Sequence, residues 1–517
     1  MGYAFFGMIA ALGFAPINLF PAFILAMAWF FAQTQLDNDC AFFDAFIFFL
    51  FMHVAGLYWL VYPLTLDIIT HGWLIPVAVI LVPAYFALQL SIGWLLAKHM
   101  ADGILNGVIL YSSFSCIIMY IYGHFSFGFP WLLPAYIWGC HEIFLQTICL
   151  YGTHGLNLTT MAISCLCGTS FVFYKKNDRP KAVAFAVVAA GLLITMTLFG
   201  IFRTLSHETS WSSHRARLVQ CNLAQQKKNN PKLSRENLQE HLNLSHGNSN
   251  VEFVVWPEAS IPYLYQEKLE WFHDLCRKIL AQNVYLVAGA VRQDIVSSKI
   301  YNSIVTIDHL GKNVLNYDKR RLVPFGEYVP FRGFIPSAFQ SIASSIGDFD
   351  LGESPKILAI NGLNFLLNIC YEAAFPENFF PENGPLPDAI INVTNDAWFG
   401  YTSEPYQHLL IVRCRSIETG LPLMRCANYG ISAVFDGCGR ELSRIDINTA
   451  GAMDFFIPHK IAELPTYAQY GDTIFWLMIL ALLLISGISS LKNVVGKIRK
   501  RWKRQKSDGA RNPSATH

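Results

Sequence analysis

The chain has 517 residues, of which 53% are hydrophobic and 14% are charged, and its formal net charge is +2. Soluble proteins usually carry about 25% charged residues, so this composition excludes a wholly water-soluble protein, and the length is sufficient for two domains. The near-zero net charge gives no indication of nucleic-acid binding. No Lys or Arg precedes Lys98, whereas residues 213–464 have the composition of a globular domain. The sequence therefore predicts a membrane portion and a soluble portion in one chain.

Apolar runs of the length of membrane helices dominate the part that precedes the soluble portion. Two short runs flank the turn Gly13-Phe14-Ala15-Pro16, and no charged segment comes before them, so a cleaved secretory signal fits poorly. The other runs before the soluble portion are 42–62, 72–96, 104–123, 156–174 and 181–202, and one further run, 473–491, follows it. Most can cross about 30 Å of hydrocarbon as helices, which predicts about eight spans. The stretch 134–150, which Pro134 interrupts, is interpreted as an interfacial or re-entrant segment.

Basic residues predict the orientation of the spans, because short loops rich in Lys and Arg stay in the cytoplasm. They occur at Lys98, at 175–181 and at 492–506, and with about eight spans all three places fall on one side. Both termini are then cytoplasmic, and the soluble portion lies on the outer face. We expect a membrane domain over 1–212, a soluble domain over 213–464, a final span over 465–492 and a basic tail over 493–517.

The soluble portion alternates short apolar strand candidates with helical stretches. The strand candidates are 216–220, 252–257, 284–291, 301–307, 364–370, 389–394 and 431–435. Helical patterns at 267–281 and 408–419 lie between them, which favours an α/β layered domain. The 12 cysteines include no CxxC pair, so the sequence predicts neither a disulfide framework nor a zinc site.

One cysteine, one glutamate and one lysine lie where catalytic groups are expected. Cys370 ends the apolar strand 364–370 and faces a turn, which suits a nucleophilic thiol. Glu258 follows a second apolar strand, and burial there is expected to raise its pKa and suit it to act as a general base. Lys319 can favour the thiolate and stabilise the oxyanion that forms when a carbonyl is attacked, with a backbone N–H after Cys370 as a second donor. These groups predict acyl transfer through a thioester.

Each of these residues also has an ordinary structural explanation. Alone, Cys370 fits a buried core thiol, Glu258 a strand-end carboxylate and Lys319 a solvated basic patch. The flanking strings are more specific: they are Trp256-Pro257-Glu258, Lys319 with 322–330, Cys370-Tyr371-Glu372, 392–400, Gln407-His408, and, in the apolar half, Gly13-Phe14-Ala15-Pro16 and Gly128-Phe129-Pro130-Trp131. Together they resemble the apolipoprotein N-acyltransferases, the membrane-embedded branch of the nitrilase (carbon–nitrogen hydrolase) superfamily.

That resemblance implies a polytopic α-helical membrane domain joined to a nitrilase-like αββα sandwich. It implies that Cys370 is the nucleophile, Glu258 the general base and Lys319 the oxyanion-stabilising lysine. It also implies supporting positions: Glu327 beside the lysine, Tyr371 and Glu372 flanking the nucleophile, and Trp398 and Phe399 on a loop at the mouth of the site.

The resemblance also implies the activity and its setting. Members take an acyl chain from a membrane phospholipid, hold it as a thioester and pass it to the α-amine of the diacylglyceryl cysteine of a lipoprotein. The expected location is the bacterial inner membrane with the catalytic domain in the periplasm, and the expected form is a monomer without metal, cofactor or nucleic acid. The chain departs from the family at 119–123, which lacks charge, and near Asn229, where relatives often have an aromatic residue. These departures affect substrate entry rather than the reaction class.

Two other functions remain open from the residues alone. A membrane-anchored amidase or nitrilase acting on a small amide would use the same three groups, but it would not need phospholipid. A non-catalytic membrane scaffold would not need Glu258, Lys319 and Cys370 intact.

Overall fold

The structure is a computed structural model that describes residues 1–37, 42–125, 128–246, 250–330, 348–353, 357–380 and 387–487. The basic tail predicted over residues 493–517 lies outside this description. The first half of the chain is helical. Its helices are α1 (Gly2–Ala11), α2 (Phe20–Leu36), α3 (Phe42–Gly56), α4 (Tyr62–Thr65), α5 (Ile68–His71), α6 (Val82–Met100), α7 (Ile104–His124), α8 (Glu142–Leu145), α9 (Ile148–Lys175) and α10 (Arg179–Ser206).

Aromatic side chains form much of the core of this helical half. Phe30 of α2 is fully buried, and its ring stacks on Phe48 at 4.4 Å and on Trp94 at 4.6 Å between centroids. In contrast, α10 exposes apolar side chains such as Val187 and Leu198. A long apolar helix with an exposed apolar face is suited to contact with lipid rather than water.

The described residues contain four helices that are long and apolar enough to cross a membrane, namely Ile68–Met100, Ile104–His124, Ile148–Lys175 and Arg179–Ser206. The number becomes five if Phe42–Gly56 and Tyr58–Thr65, which meet at 62°, form one broken span. Three further apolar helices, α1, α2 and Thr473–Gly487, have only 10–17 residues, fewer than the roughly 20 that a span needs. The predicted count of about eight therefore stays a prediction.

The second half forms two six-stranded sheets. Their strands are β1 (Trp211–Gln220), β2 (Phe253–Val255), β3 (Tyr285–Gln293), β4 (Ile300–Ile307), β5 (Asn313–Asp318), β6 (Ile357–Ile360), β7 (Leu363–Ile369), β8 (Ala389–Thr394), β9 (Leu423–Ala427), β10 (Ser432–Phe435), β11 (Glu441–Ile445) and β12 (Gly451–Pro458). The strand orders are β12-β1-β2-β3-β4-β5 and β11-β10-β9-β8-β7-β6. Strands β1 to β3 are parallel in the first sheet, and β7 to β9 are parallel in the second.

The two sheets pack face to face between layers of helices, which confirms the predicted αββα sandwich. Between the sheets, Phe253 of the first packs against Phe365 of the second, with 5.0 Å between ring centroids. The outer helices are α11 (Gln225–Lys228), α12 (Ser234–Ser245) and α13 (Leu269–Ile279) beside the first sheet, and α14 (Glu404–Thr419) on the second. The chain then continues into α15 (Thr466–Tyr470) and α16 (Thr473–Gly487).

Helix α14 belongs to both halves of the molecule. Leu409 and Val412 pack on the second sheet, whereas Leu410, Ile411 and Ile417 join the core of the helical half. Most of its residues are buried because both faces are covered. The sandwich is therefore attached to the membrane portion through one of its own outer helices.

Candidate active site

The three predicted catalytic groups meet at one edge of the sandwich. Strands β2 and β3 are parallel and β4 runs antiparallel to β3 and β5, so the carboxyl ends of β2 and β5 reach the same edge. Glu258 follows β2, and Lys319 follows β5 directly. Gly289 leaves room for this turn, because a Cβ there would lie 2.6 Å from the Cα of Glu258. Cys370 comes from the facing sheet, at the carboxyl end of β7.

Glu258, Lys319 and Glu327 form a buried ion cluster. The Lys319 Nζ lies 3.2 Å from Glu258 Oε1 and 2.9 Å from Glu327 Oε1, and the lysine side chain is 1% exposed. Asn302 on β4 completes the cluster, because its Nδ2 donates to Glu258 Oε1 at 2.8 Å and to Glu327 Oε1 at 2.7 Å. The sequence analysis predicted Glu327 as a supporting residue but did not predict Asn302. The signal for Asn302 is a polar residue at the second position of the apolar strand candidate 301–307.

The nucleophile candidate lies on a strained turn. Cys370 has φ of +51°, in the left-handed region that non-glycine residues rarely adopt, and it opens a 3-10 turn that ends at Ala374. Its thiol lies close enough to the Glu258 carboxylate and to Thr394 for these groups to influence each other's pKa. Cys370 keeps partial exposure, which access by a substrate requires.

The electrostatics of the cluster differ from the expectation for Glu258. Burial alone would raise the pKa of Glu258, but Lys319, Lys228 and the hydrogen bond from Asn302 outweigh burial and bring it below its usual value. The pKa of Lys319 is raised, because Glu258 and Glu327 outweigh the burial that opposes its charge. Burial raises the pKa of the Cys370 thiol well above its usual value, and the charge on Glu258 adds to the rise. The resting site is therefore an ionised carboxylate, an ammonium and a neutral thiol, so a proton must leave the thiol during attack.

Glu372 joins the lysine loop to the nucleophile turn. Its fully buried carboxylate accepts the N–H of Arg320 at 2.6 Å and the N–H of Ile369 at 2.7 Å. It also accepts the Tyr317 hydroxyl at 2.9 Å. One side chain thus fixes the backbone on both sides of the gap between Lys319 and the thiol, which gives a physical reason for a glutamate in this position.

A second buried network lies behind Cys370. The His408 Nε2 donates to the Cys370 carbonyl at 3.2 Å, and Arg425 donates to His408 Nδ1 at 3.2 Å and to Asp396 Oδ2 at 2.7 Å. Burial lowers the pKa of His408 and the Arg425 charge lowers it further, which agrees with a neutral ring that donates from Nε2. Burial raises the pKa of the neighbouring Glu404 well above its usual value. Through the hydrogen bond of His408 to the Cys370 carbonyl, this network stabilises the strained turn that carries the nucleophile candidate.

Lys228 supplies a second ammonium next to the cluster. From the end of α11 its Nζ donates to the backbone carbonyl of Glu258 at 2.6 Å. Burial of the ammonium lowers the pKa of Lys228 to about 8, although the charges of Glu258 and Cys370 oppose the shift. The sequence analysis did not select Lys228 as a site residue.

Tyr371 faces the membrane portion rather than the ion cluster. Its hydroxyl donates to the carbonyl of Gly128, and its ring stacks on Trp131 with 6.3 Å between centroids. Nearby, Gln407 of α14 accepts the indole N–H groups of Trp59 at 3.1 Å and Trp131 at 2.9 Å.

The amide nitrogen of Gln407 donates to the Ala15 and Gly56 carbonyls, each at 3.2 Å. The two apolar-half motifs around residues 13–16 and 128–131 therefore converge on the helix beside the nucleophile.

After β8 a short 3-10 turn ends at Trp398, and Phe399 follows it directly. The two side chains have different surroundings. Trp398 is 44% exposed, whereas the Phe399 ring meets Trp59 of the helical half edge-on at 5.0 Å. Trp398 is thus the one of the two that is open to an incoming substrate.

Two groups of side chains in the described part of the chain bring three possible metal ligands within 4.8 Å of one another. The first is Cys370, Asp396 and His408. Asp396 is already paired with Arg425, and His408 donates to a carbonyl, so these residues fit the support of the turn better than metal binding. The second group, His124, His154 and Asp472, lies outside the catalytic cluster.

Comparison with known proteins matches both halves of the chain. The family model for the apolipoprotein N-acyltransferase N-terminal domain covers residues 6–166, and that for carbon-nitrogen hydrolase covers 215–457. The chain is 33% identical over 436 residues to an apolipoprotein N-acyltransferase of Rhodopseudomonas palustris, covering 81% of this chain and 80% of the relative. It is also 33% identical over 490 residues to one of Bradyrhizobium diazoefficiens, covering 90% of each.

Among solved structures, the chain is similar to Saccharomyces cerevisiae Nit3, of the nitrilase superfamily, at 19% identity and a TM-score of 0.37, covering 51% of this chain and 98% of that one. The identity to the two acyltransferases extends over both halves of the chain, and the described residues contain the apolar helices of an integral membrane protein. On these grounds the chain belongs to the apolipoprotein N-acyltransferase family and is an acyltransferase that carries a nitrilase-like domain.

Proposed function

We propose that this enzyme moves an acyl chain from a membrane phospholipid to the N-terminal amine of a diacylglyceryl-cysteine lipoprotein, the final step of bacterial lipoprotein maturation, and that Cys370 carries the chain between them. The observation that supports this most directly is that the Cys370 thiol lies close enough to the Glu258 carboxylate, which pairs with the Lys319 ammonium at 3.2 Å, for the two groups to influence each other's pKa. Family membership supports the two substrates.

In the first half-reaction, the Cys370 sulfur attacks the ester carbonyl of the phospholipid while the thiol proton passes to Glu258. Negative charge then develops on the carbonyl oxygen, where the Lys319 ammonium and the backbone N–H that follows the nucleophile stabilise it. Glu258 returns the proton to the departing alkoxide, so a lysophospholipid leaves and a thioester remains. Such preorganised donors typically contribute a factor of about 10²–10³ each to the rate.

In the second half-reaction, the free α-amine of the lipoprotein attacks the thioester carbonyl. Glu258 takes a proton from the attacking nitrogen, Lys319 stabilises the second oxyanion, and the sulfur leaves and regains a proton as the amide forms. Water must be kept out of this step, because hydrolysis of the thioester would turn the enzyme into a phospholipase. No metal or organic cofactor takes part in this route.

The supporting residues have roles that follow from their contacts. Glu327 and Asn302 hold the lysine against Glu258, and Glu372 fixes the nucleophile turn. Tyr371 keeps that turn on the membrane portion through its hydrogen bond to the Gly128 carbonyl.

Trp398 is exposed at the mouth, and Phe399 anchors its loop. We extend the proposal to a monomer in the inner membrane with the catalytic domain in the periplasm and both termini in the cytoplasm. The division of the chain at residues 212, 464 and 492 is part of the same proposal.

The test is intact mass spectrometry of the purified protein after incubation with phosphatidylethanolamine vesicles. The wild type is expected to gain one acyl group that hydroxylamine or a diacylated lipopeptide removes. Cys370→Ala is expected to gain none. Cys140→Ala serves as the control, because Cys140 is an exposed thiol in the helical half and should leave the adduct unchanged.

Two results would contradict the proposal. An adduct that persists in Cys370→Ala would place the nucleophile elsewhere. Absence of an adduct in every variant, together with turnover of a soluble amide that does not depend on phospholipid, would favour the amidase function.

A further inference from the structure

Three side chains that the acyl-transfer mechanism does not use meet where the helical half joins the last helix. His124 is the final residue of α7, His154 lies near the start of α9, and Asp472 immediately precedes α16. One ligand atom from each lies within 4.8 Å of those from the other two. The three come from positions far apart in sequence, so no spacing motif could have revealed them.

Each of the two imidazoles has a buried nitrogen atom without a hydrogen-bond partner in the described part of the chain. The His124 Nδ1 donates to the Tyr120 carbonyl at 3.0 Å, which leaves the lone pair of the neutral ring on Nε2. That Nε2 is buried and has no hydrogen-bond partner among the residues that the structure describes. The same holds, within those described ranges, for Nδ1 of His154, a residue that is 2% exposed. Buried polar atoms are nearly always paired, so two such atoms at one place call for an occupant.

The surroundings of the cluster resemble those of a metal site rather than of an ordinary core. A metal-binding histidine typically donates its other ring N–H to a carbonyl, as His124 does, and a metal-binding carboxylate is itself hydrogen-bonded. The Tyr467 hydroxyl donates to Asp472 Oδ1 at 2.8 Å. Tyr467 reaches this place because Gly152 has φ of +71° and lacks a Cβ, which would lie 2.2 Å from the tyrosine ring.

The Glu377 carboxylate lies close enough to be a fourth ligand. The Oε2 of Glu377 lies 3.7 Å from the His124 Nε2, and this carboxylate is 46% exposed and pairs through Oε1 with Arg321. Two imidazoles and one or two carboxylates suit a zinc-like divalent cation, whose bonds to nitrogen and oxygen are about 2.0–2.2 Å long. Ligand atoms around such an ion are about 3.3 Å apart, so binding would draw together the three atoms that now lie within 4.8 Å of one another.

We propose that His124, His154 and Asp472 bind a divalent transition-metal ion of the zinc type, with Glu377 as the additional ligand. The ion joins α7, α9 and α16 to the loop that follows the nucleophile turn.

Arg321, two residues after Lys319, extends this connection, because it donates to the His124 carbonyl at 3.3 Å and to Glu377 at 3.2 Å. The site is structural: it fixes the catalytic domain against the helices and takes no part in acyl transfer.

The experiment uses the full-length protein in detergent after treatment with a chelator and dialysis. It is titrated with ZnCl2, CoCl2 and MgCl2, and metal content, the visible cobalt spectrum and the thermal unfolding midpoint are measured. We expect one equivalent of zinc or cobalt, a cobalt band typical of four-coordination, and a higher midpoint with either ion but not with magnesium. The cobalt spectrum of the wild type tests the site without any mutation.

Variants then assign the ligands. His154→Ala and Asp472→Asn are expected to weaken zinc binding at least tenfold and to remove the cobalt band. His53→Ala is the matched control for His154→Ala, because His53 is equally buried in the helical half but its Nδ1 bonds to the Phe49 carbonyl and it lies outside the cluster. Wild-type protein that takes up no stoichiometric zinc or cobalt would overturn the proposal. Equal binding by His154→Ala and Asp472→Asn would also overturn it.

Discussion

Replacement of Lys319 by methionine tests the reasoning about the ion cluster most severely. The variant keeps the length of the side chain but removes the charge that Glu258 and Glu327 share. The two carboxylates, each about a tenth exposed, then face one another without the cation between them. Burial raises the pKa of Glu258, and Lys319 is the largest of the groups that oppose this, so the variant should have a higher Glu258 pKa than the wild type.

The expected loss of stability follows from the two short contacts. At an effective dielectric constant of about 20, charges about 3 Å apart attract by about 5 kcal/mol, and the cost of burying them offsets much of this. Removing one partner from a buried pair typically lowers the free energy of unfolding by about 3–5 kcal/mol. Thioester formation should fall by a factor of about 10³ or more, because an oxyanion donor and an ionised base are lost together.

Denaturant titration in detergent and the rate of acyl-enzyme formation measure the two effects. In Lys319→Met/Glu327→Gln, only one carboxylate remains ionisable, so part of the stability should return while activity does not. Lys460→Met is the control: its ammonium lies 2.9 Å from Asp388, but that lysine side chain is 38% exposed, so the change should cost less than about 1 kcal/mol. A Lys319→Met protein as stable as the wild type, or one that forms the thioester within tenfold of its rate, would refute the reasoning.

Other predictions concern single residues around the cluster. Because the pKa of Lys228 is lowered to about 8, its charge beside Glu258 disappears as the pH rises through that value. Acyl-enzyme formation in the wild type should therefore decline near pH 8, and Lys228→Met should lack this decline; identical pH profiles would contradict it. Glu372→Gln places an amide NH2 against backbone N–H groups, so the free energy of unfolding should fall by about 3 kcal/mol, measured by denaturant titration. Trp398→Ala should leave the unfolding midpoint unchanged and raise the KM for phospholipid vesicles, whereas Phe399→Ala should lower the midpoint, because Trp398 is exposed and Phe399 is packed.

The strands that precede Glu258 and lead to Cys370 were predictable, because each is an apolar run that ends at a polar residue. Strand β5, which precedes Lys319, was not among the strand candidates, because its sequence mixes polar and apolar residues. The candidates 364–370 and 389–394 correspond to β7 and β8, and 301–307 corresponds to β4. Edge strands were not found: β12 and β11 carry partly exposed, mixed sequences, which lack the continuous apolar pattern of buried parallel strands. The span count could not be checked by length, since several apolar helices are short or bent.

The chemistry of the site was predictable only in its residue types. Position along the chain suggested that Glu258 is buried, but not that two lysines lie close enough to reverse the effect of burial on its pKa. Asn302 and Arg425 act through contacts with residues distant in sequence, which a single sequence does not reveal. The convergence of the two apolar-half motifs on Gln407 likewise depends on the packing of α14 against the helices.

Because α14 is covered on both faces, the catalytic domain presents an apolar helix face to the membrane portion. Excised alone, it would expose Leu410, Ile411 and Ile417 and leave the buried Arg415–Glu418 pair without its contact to Thr153. The turn that carries Cys370 therefore has a fixed position relative to the helices of the membrane portion. Under the proposed function, this fixed position selects the acceptor by distance: we expect an amine that its own lipid chain holds in the membrane to reach the thioester. The same amine on a soluble peptide is expected to be a poor acceptor, even though its chemistry is the same.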